Sequence, residues 1–446
     1  MHLAVKKKPV VAESLGLTHG RLTCGVRPTP SIMAPTSRSL KASNLTFKSA
    51  LDLTKKITFS SSYGKVSVGL LCLIVIAGCR NAHKEHSAKL YTASFGTEPV
   101  TTVLVERSNS SWVVRNGEER VVLRPTDQEE VYALPVFGGS LAGEWVGGVW
   151  RGHWTDSLRP NNYRVPITLS PIVNHRSTAG PKTSSRWQTS QGVLLLDSRE
   201  DSVWATISTA TGDYRYLAGT KKDKNLTFST FDGAHLFRFH ATMEGDSLVN
   251  GSFLSGTHYQ TSFEGVLLEG EQNWQSGRQA YNGGDIYIKG ISPEGDTIIW
   301  NEEILLSAGK YGLVVDIMGT WCPNCMDEAR LLKEFAPQHP NVQFVSLAFE
   351  RNTDKKALAR LKQFQRELGL SWDVLLGGRA NKRVAAETIG IVDTVHSFPT
   401  TIFWSLGADP VIHTGFNGPA TGEGYAAERQ FFQSQLLKIN GRSKNH

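Results

Sequence analysis

Two periods of hydrophobicity divide this chain of 446 residues. Roughly between residues 100 and 265, short runs rich in Val, Thr, Tyr and Phe recur at 101–105, 111–115, 120–123, 192–196, 202–208, 214–218, 226–229, 235–241, 247–253 and 258–265. Breaks such as Thr211-Gly212-Asp213 and Glu244-Gly245-Asp246 separate them at hairpin spacing, so the pattern predicts strands in an antiparallel all-β domain, a sandwich or a barrel. The polar segment 174–190 is expected to be a loop, and 271–285 a linker.

Beyond the linker the period lengthens. Apolar residues at Ala329, Leu331, Leu332 and Phe335, and then at Leu358, Leu361, Phe364 and Leu368, recur at helical intervals. Between and after these helices, 344–349 and 372–376 read as strands, 382–388 as a short helix, and 429–439 as a closing helix with Phe431, Phe432, Leu436 and Leu437. Strands alternating with helices predict an α/β domain with a largely parallel sheet.

At the front, the apolar run 66–77 follows Lys55, Lys56 and Lys65 and ends in Ile76-Ala77-Gly78-Cys79. It is too short to span a bilayer and has the length and flanks of a signal-peptide core, or of a buried strand beside an incidental Cys. Residues 1–52 are basic and show no sustained apolar period, so the leader is expected to be disordered. Translation is then expected to begin near Leu53, and a cellular peptide from residues 1–50 would exclude this. The expected organisation is a leader (1–78, with the signal from about 53), a β-rich domain (79–285) and an α/β domain (286–446).

Charge and cysteine usage agree with that division. Residues 1–78 hold eleven Lys/Arg against two Asp/Glu, leaving 37 against 39 in the rest, so the formal charge of +7 belongs to the leader. No basic patch interleaved with aromatics remains to favour nucleic acid. Of five Cys, Cys24, Cys72 and Cys79 lie at the front, and only Cys322 and Cys325 remain.

Those two sit in Trp321-Cys322-Pro323-Asn324-Cys325, directly after the apolar run 313–317. A Cys opening a helix meets unpaired N–H groups that favour its thiolate, and a second Cys three residues on shares its helical face. The pair suits dithiol–disulfide exchange, with Cys322 attacking and Cys325 resolving. A zinc site needs four ligands, and His396 and His413 lack paired spacing. A peroxidatic site would require Pro at 315 and Thr or Ser at 319, where Val315 and Gly319 stand.

The segment 315–325 resembles the active-site strand and helix start of thioredoxin-like proteins, especially TlpA-like thiol–disulfide oxidoreductases of bacterial envelopes, and Phe398-Pro399-Thr400 resembles their cis-proline strand. The resemblance implies a thioredoxin-like fold for the α/β domain. It also implies that Pro399 and Thr400 hold a substrate's backbone in a substrate-binding site shared with Phe398, Pro323 and Trp321, the last shielding the thiols with an apolar rim, while Asp316, six residues before Cys322, takes a proton. Glu350 is a second acidic candidate. The Gly-rich stretch 413–422 is similar to loops in TlpA-like proteins of the Bacteroidota, and its glycines serve turns, with His413 packed or solvent-facing. Ala77-Gly78-Cys79 resembles a lipobox, implying a lipid on Cys79 and a membrane-anchored, periplasm-facing protein.

The implied activity is reduction of protein disulfides through a Cys322–Cys325 redox pair. No other cofactor and no metal is implied, and electrons would come from a donor protein. The alternatives are a non-catalytic surface lipoprotein whose β domain binds glycan or protein and, third, a peroxidase. Trp112, Trp145, Trp150 and Trp154 would be a ligand platform in the binding-module case, and core packing otherwise.

Overall fold

In the computed structural model, residues 89–442 are described except 97–102, 109–110, 135, 157–158, 160–162, 173–179, 273 and 275–276. The leader, the run 66–77 and Cys79, with the expectations attached to them, lie outside the described residues. Among the described residues no helix is long and apolar enough to cross a membrane.

Eight antiparallel strands, from Lys89–Phe95 to Arg164–Pro171, close into a barrel, with Tyr91 opposite Pro171 and Phe95 opposite Ile167 at the seam. Alternation puts Tyr91, Ala93 and Phe95 inside. The interior is filled by Trp112, Trp150 and Trp154, all fully buried, so three of the four clustered tryptophans are core. Gly143 and Gly152 face each other across two strands, where a Cβ on either would collide with the Trp150 ring. The small residues therefore make room for the large one. Trp145 is only partly buried and lies under the Arg107 guanidinium at 4.6 Å.

A second sheet of nine strands runs from Thr183–Thr189 to Tyr259–Leu267, and the pairing of Gly192–Arg199 with both Thr183–Thr189 and Ser202–Thr209 closes it into another barrel-like ring. Its core is aromatic, with Phe228, Phe239, Phe253 and Phe263 packed together. Two expectations fail here. Part of the expected loop 174–190 is the strand Thr183–Thr189, whose inward positions Trp187 and Thr189 are too few to stand out among its polar residues. The expected strand 214–218 is broken, because Arg215 takes a left-handed φ of 58° between the short strand Gly212–Asp213 and the strand Leu217–Lys222.

The remaining elements are, in chain order, β1 (Arg278–Gln279), β2 (Ile288–Ile291), β3 (Thr297–Trp300), α1 (Glu302–Ser307), β4 (Gly312–Met318), α2 (Pro323–Phe335), β5 (Val342–Glu350), α3 (Lys355–Leu368), β6 (Asp373–Arg379), α4 (Lys382–Ile389), β7 (Thr400–Ser405), β8 (Val411–Thr414) and α5 (Glu423–Arg442). The strands form one sheet in the order β1-β8-β7-β4-β5-β6-β2-β3. Only β4–β5 and β5–β6 are parallel, so the sheet is mixed rather than largely parallel. The reason is that hairpins, not helical crossovers, join β2 to β3 and β7 to β8. Strand β1 comes from the expected linker and pairs with His413 and Ile412 of β8.

Local chemistry fixes the helices. Asp354 and Asn381 accept hydrogen bonds from the first turns of α3 and α4, and Gly369 and Gly390 end them in the left-handed region. Strand β4 is buried along its whole length. Its Val314 and Met318 face a core shared with α2, α3 and α5, while Leu313, Val315 and Ile317 face the core under α4. In α5, Phe432 and Leu436 are buried but Leu437 is exposed, which corrects its expected inward position.

Candidate active site

The two sulfurs lie where β4 gives way to α2. Cys322 is the N-cap of α2, its sulfur accepting from Cys325 N at 3.3 Å, and Pro323 occupies the first turn, where a missing N–H costs nothing. Cys322 and Cys325 are joined by a disulfide with a Cα–Cα distance of 5.3 Å. Cys322 is 6% exposed and Cys325 0%, so the first cysteine keeps a small exposure and the second none. Its place at the helix start favours a thiolate on reduction.

Beneath them lies a polar row within an apolar core. Asp316 sits between Val314 and Met318 on the face that packs with Cys325 and Met326. Ser346 of β5 and Thr401 of β7 stand opposite it in register, and Ser346 Oγ donates to Asp316 Oδ2 at 3.2 Å. Above this row is Glu328, one helical turn after Cys325, fully buried and accepting from Thr401 Oγ1. Asp316 Oδ1 and Glu328 Oε2 are buried without a hydrogen-bond partner of their own, and each of the two carboxyls influences the other's ionisation. Burial raises Asp316 from 3.8 to about 7. Burial and then the charge of Asp316 push Glu328 well above the ordinary carboxyl range.

Sequence reasoning identified Asp316 and missed Glu328. The signal was present: Cys325, Glu328 and Leu332 share one helical face.

Glu350 comes to the segment before the thiols. Its two oxygens accept from Thr320 N at 2.7 Å and Thr320 Oγ1 at 3.0 Å, and Arg360 donates to Thr320 O at 3.2 Å. Burial raises the Glu350 carboxyl, partly offset by those bonds. Trp321 is half-buried, donates to Phe349 O at 3.0 Å, meets Phe398 edge-on at 5.7 Å and carries the Arg351 guanidinium 5.3 Å above its ring.

The Phe398–Pro399 peptide is cis, and Phe398 O lies 3.5 Å from Cys322 Sγ. Three of the expected substrate-holding residues, Pro323, Pro399 and Thr400, are buried. Thr400 is fully buried, flanked in the sheet by Ile317 and Thr414, with its hydroxyl donating to Ser397 O at 2.8 Å. Pro323 is buried, and its carbonyl accepts from Arg215 at 3.0 Å. The backbone edge nearest the sulfur is therefore Ser397–Phe398. His413 is packed, 2.8 Å from Glu428.

Arg215 belongs to the second barrel-like sheet, and no local pattern marks it in the sequence. Although 4% exposed, it is surrounded by Glu119, by Asp327 at 3.3 Å and by Asp232 at 4.0 Å. Burial opposes its charge, but Asp327, Glu119 and Asp232 outweigh that and hold the guanidinium protonated. A cation from the β region thus fixes the first turn of α2.

No protein-family model matches the chain, and no curated protein matches it. Among solved structures, a secreted Mycobacterium tuberculosis disulfide oxidoreductase homologous to E. coli DsbE is similar at 15% identity, over 34% of this chain and 95% of that one, with a TM-score of 0.24. The thioredoxin domain of a thiol-disulfide oxidoreductase from Bacteroides vulgatus is similar at 19% identity, over 34% and 97%, with a TM-score of 0.24. A thiol-disulfide oxidoreductase from Bacteroides fragilis is similar at 18% identity, over 31% and 93%, with a TM-score of 0.23. Over about a third of the chain, then, its structural neighbours are thioredoxin-like thiol–disulfide oxidoreductases.

Proposed function

We propose that the protein is a thiol–disulfide oxidoreductase that reduces protein disulfides in the cell envelope, anchored by a lipid on Cys79 and facing the periplasm. The observation that carries the activity is the pairing of an N-cap sulfur, Cys322, with a fully buried one, Cys325, in the core that also encloses the carboxyls of Asp316 and Glu328. In the reduced protein, the Cys322 thiolate attacks one sulfur of a substrate disulfide, forming a mixed disulfide and releasing the other sulfur as a thiolate that takes a proton. The buried Cys325 thiol gives its proton to the Asp316–Glu328 pair and displaces the substrate's remaining sulfur. Two electrons pass to the substrate, and the Cys322–Cys325 bond closes. A donor protein with a dithiol of its own reopens it.

Asp316 and Glu328 hold the proton, Glu350 positions Thr320 and hence Cys322, and Trp321 with Phe398 forms the apolar rim. The lipid anchor and envelope location rest on the lipobox resemblance at 77–79. The test of the activity is a thiol titration against defined redox buffers. A single two-electron couple assigned to Cys322 and Cys325, in the range of about −120 to −270 mV spanned by envelope and cytosolic exchangers, is expected. A pair that does not cycle in that range would favour the non-catalytic lipoprotein.

A further inference from the structure

We propose that the hairpin tip Thr209–Asp213 of the second barrel-like sheet is a specificity element that fills the polypeptide-docking face beside Cys322. The dithiol then exchanges with compact disulfides, either small molecules or ones presented on a protruding turn, and excludes extended chains until the tip is lifted. This rests on the oxidoreductase reading and narrows its substrate class.

The tip occupies the polar groups on one side of the sulfur. Ser397, next to the backbone edge at Phe398, donates to Thr211 O at 3.0 Å. Asn324, between the two cysteines, donates to Asp213 O at 3.1 Å, to Asp213 Oδ1 at 3.2 Å and to Phe416 O at 3.1 Å. Gly418 N donates to Asp213 Oδ2 at 2.8 Å. Packing is as close as the bonding. A Cβ on Gly415 would lie 2.9 Å from the Thr211 carbonyl carbon, and one on Gly212 would lie 2.5 Å from Asn324 Nδ2 and 2.9 Å from Phe416 O. Glycine at 212 is also required by its φ of 129°.

An extended substrate chain alongside Cys322 needs space and polar partners, and on this side the hairpin already engages the Ser397 hydroxyl, the Asn324 amide and Gly418 N. On the other side lie Trp321 and Phe398, both partly exposed, with the Arg351 guanidinium over the Trp321 ring. A compact disulfide needs no backbone pairing and is the substrate class that side can admit. Exchange there has the balance given above: the Cys322 thiolate forms a mixed disulfide, Cys325 displaces the substrate sulfur, and two electrons and two protons leave with the reduced substrate.

The test is Gly212→Val, which puts a branched side chain against Asn324 and Phe416 and should lift the tip without touching either sulfur. Turnover is measured with a small aromatic disulfide and with insulin, dithiothreitol serving as donor to the full chain. Wild type is expected to favour the small disulfide, and Gly212→Val to raise insulin reduction at least tenfold while small-disulfide turnover stays within about threefold. An unchanged ratio in a folded variant overturns the gate. Should that variant fail to fold, amide exchange of the wild-type fold decides, using Cys325→Ser trapped on a cysteine peptide. Loss of protection at 209–213 on trapping supports the gate, and unchanged protection overturns it. If neither substrate reacts with wild type, the oxidoreductase reading falls, and the gate with it. Turnover of the small disulfide at an unchanged ratio removes the gate alone.

Discussion

Cys325→Ser is expected to strand mixed disulfides on Cys322, and Cys322→Ser to abolish exchange altogether. The asymmetry follows from position and burial: Cys322 caps α2 and keeps a small exposure, while Cys325 is enclosed by the core that holds Met326 and Ala329. Without Cys325 the first bond still forms, but its displacement has no intramolecular nucleophile. Two sulfurs on one helical face have an effective concentration that reaches roughly 10⁵ M in well-oriented systems. Losing it should slow release by at least about 10³-fold, so substrates remain attached and can be identified by mass spectrometry. Cys322→Ser should trap nothing, because Cys325 cannot reach an external disulfide. Equal trapping by both variants would contradict the assigned roles.

Asp316→Asn should have the second-largest effect, and in opposite directions on rate and stability. Removing the proton acceptor below Cys325 is expected to slow the resolving step by on the order of 10²-fold, the lower range of general-base effects. It should also abolish the rise of that step with pH through about 7, where Asp316 ionises.

Stability moves the other way. The folded state holds the Asp316 proton up to about 7, whereas the unfolded chain releases it near 3.8, so folding stability is full below that lower value and is lost as pH rises through the window. The displacement corresponds to on the order of 4 kcal/mol at pH 8. Asp316→Asn, which cannot ionise, should therefore flatten the decline in denaturant midpoint between pH 5 and pH 8 and be the more stable protein at the alkaline end. Removing Asp316 also removes a charge that raises the Glu328 carboxyl. Parallel pH profiles for wild type and variant would show that the pair carries no proton of consequence.

The parts legible in the sequence were those whose physics is local. The Cys322-Pro323-Asn324-Cys325 helix start, the helical stripe of α3, and the strands of the second barrel-like sheet such as Gly192–Arg199 and Ser202–Thr209 all announce themselves by spacing. Five strands of the first barrel escaped. In Gly139–Val146 and Val149–Asp156 the alternation is interrupted by Gly143 and Gly152, whose lack of a side chain is explained only by Trp150 packing over them. Arg215 and Asp213 could not be read at all, since their significance comes from Asp327, Asn324 and Gly418, about a hundred or more positions away. Thr400 and Pro323 show the converse: a motif names the neighbourhood of a site, whereas burial decides which of its residues face outward.

The central claim is that Cys322 ionises readily because it caps α2, while Cys325 stays protonated in the core. The most direct measurement is the rate of alkylation of Cys322 in the reduced protein as a function of pH, with the modified residue identified by peptide mapping. The expected result is a single ionisation below the free-cysteine value of about 8.5, with Cys325 unmodified until the protein unfolds. A midpoint at or above that value, or equal labelling of the two sulfurs, would contradict the account.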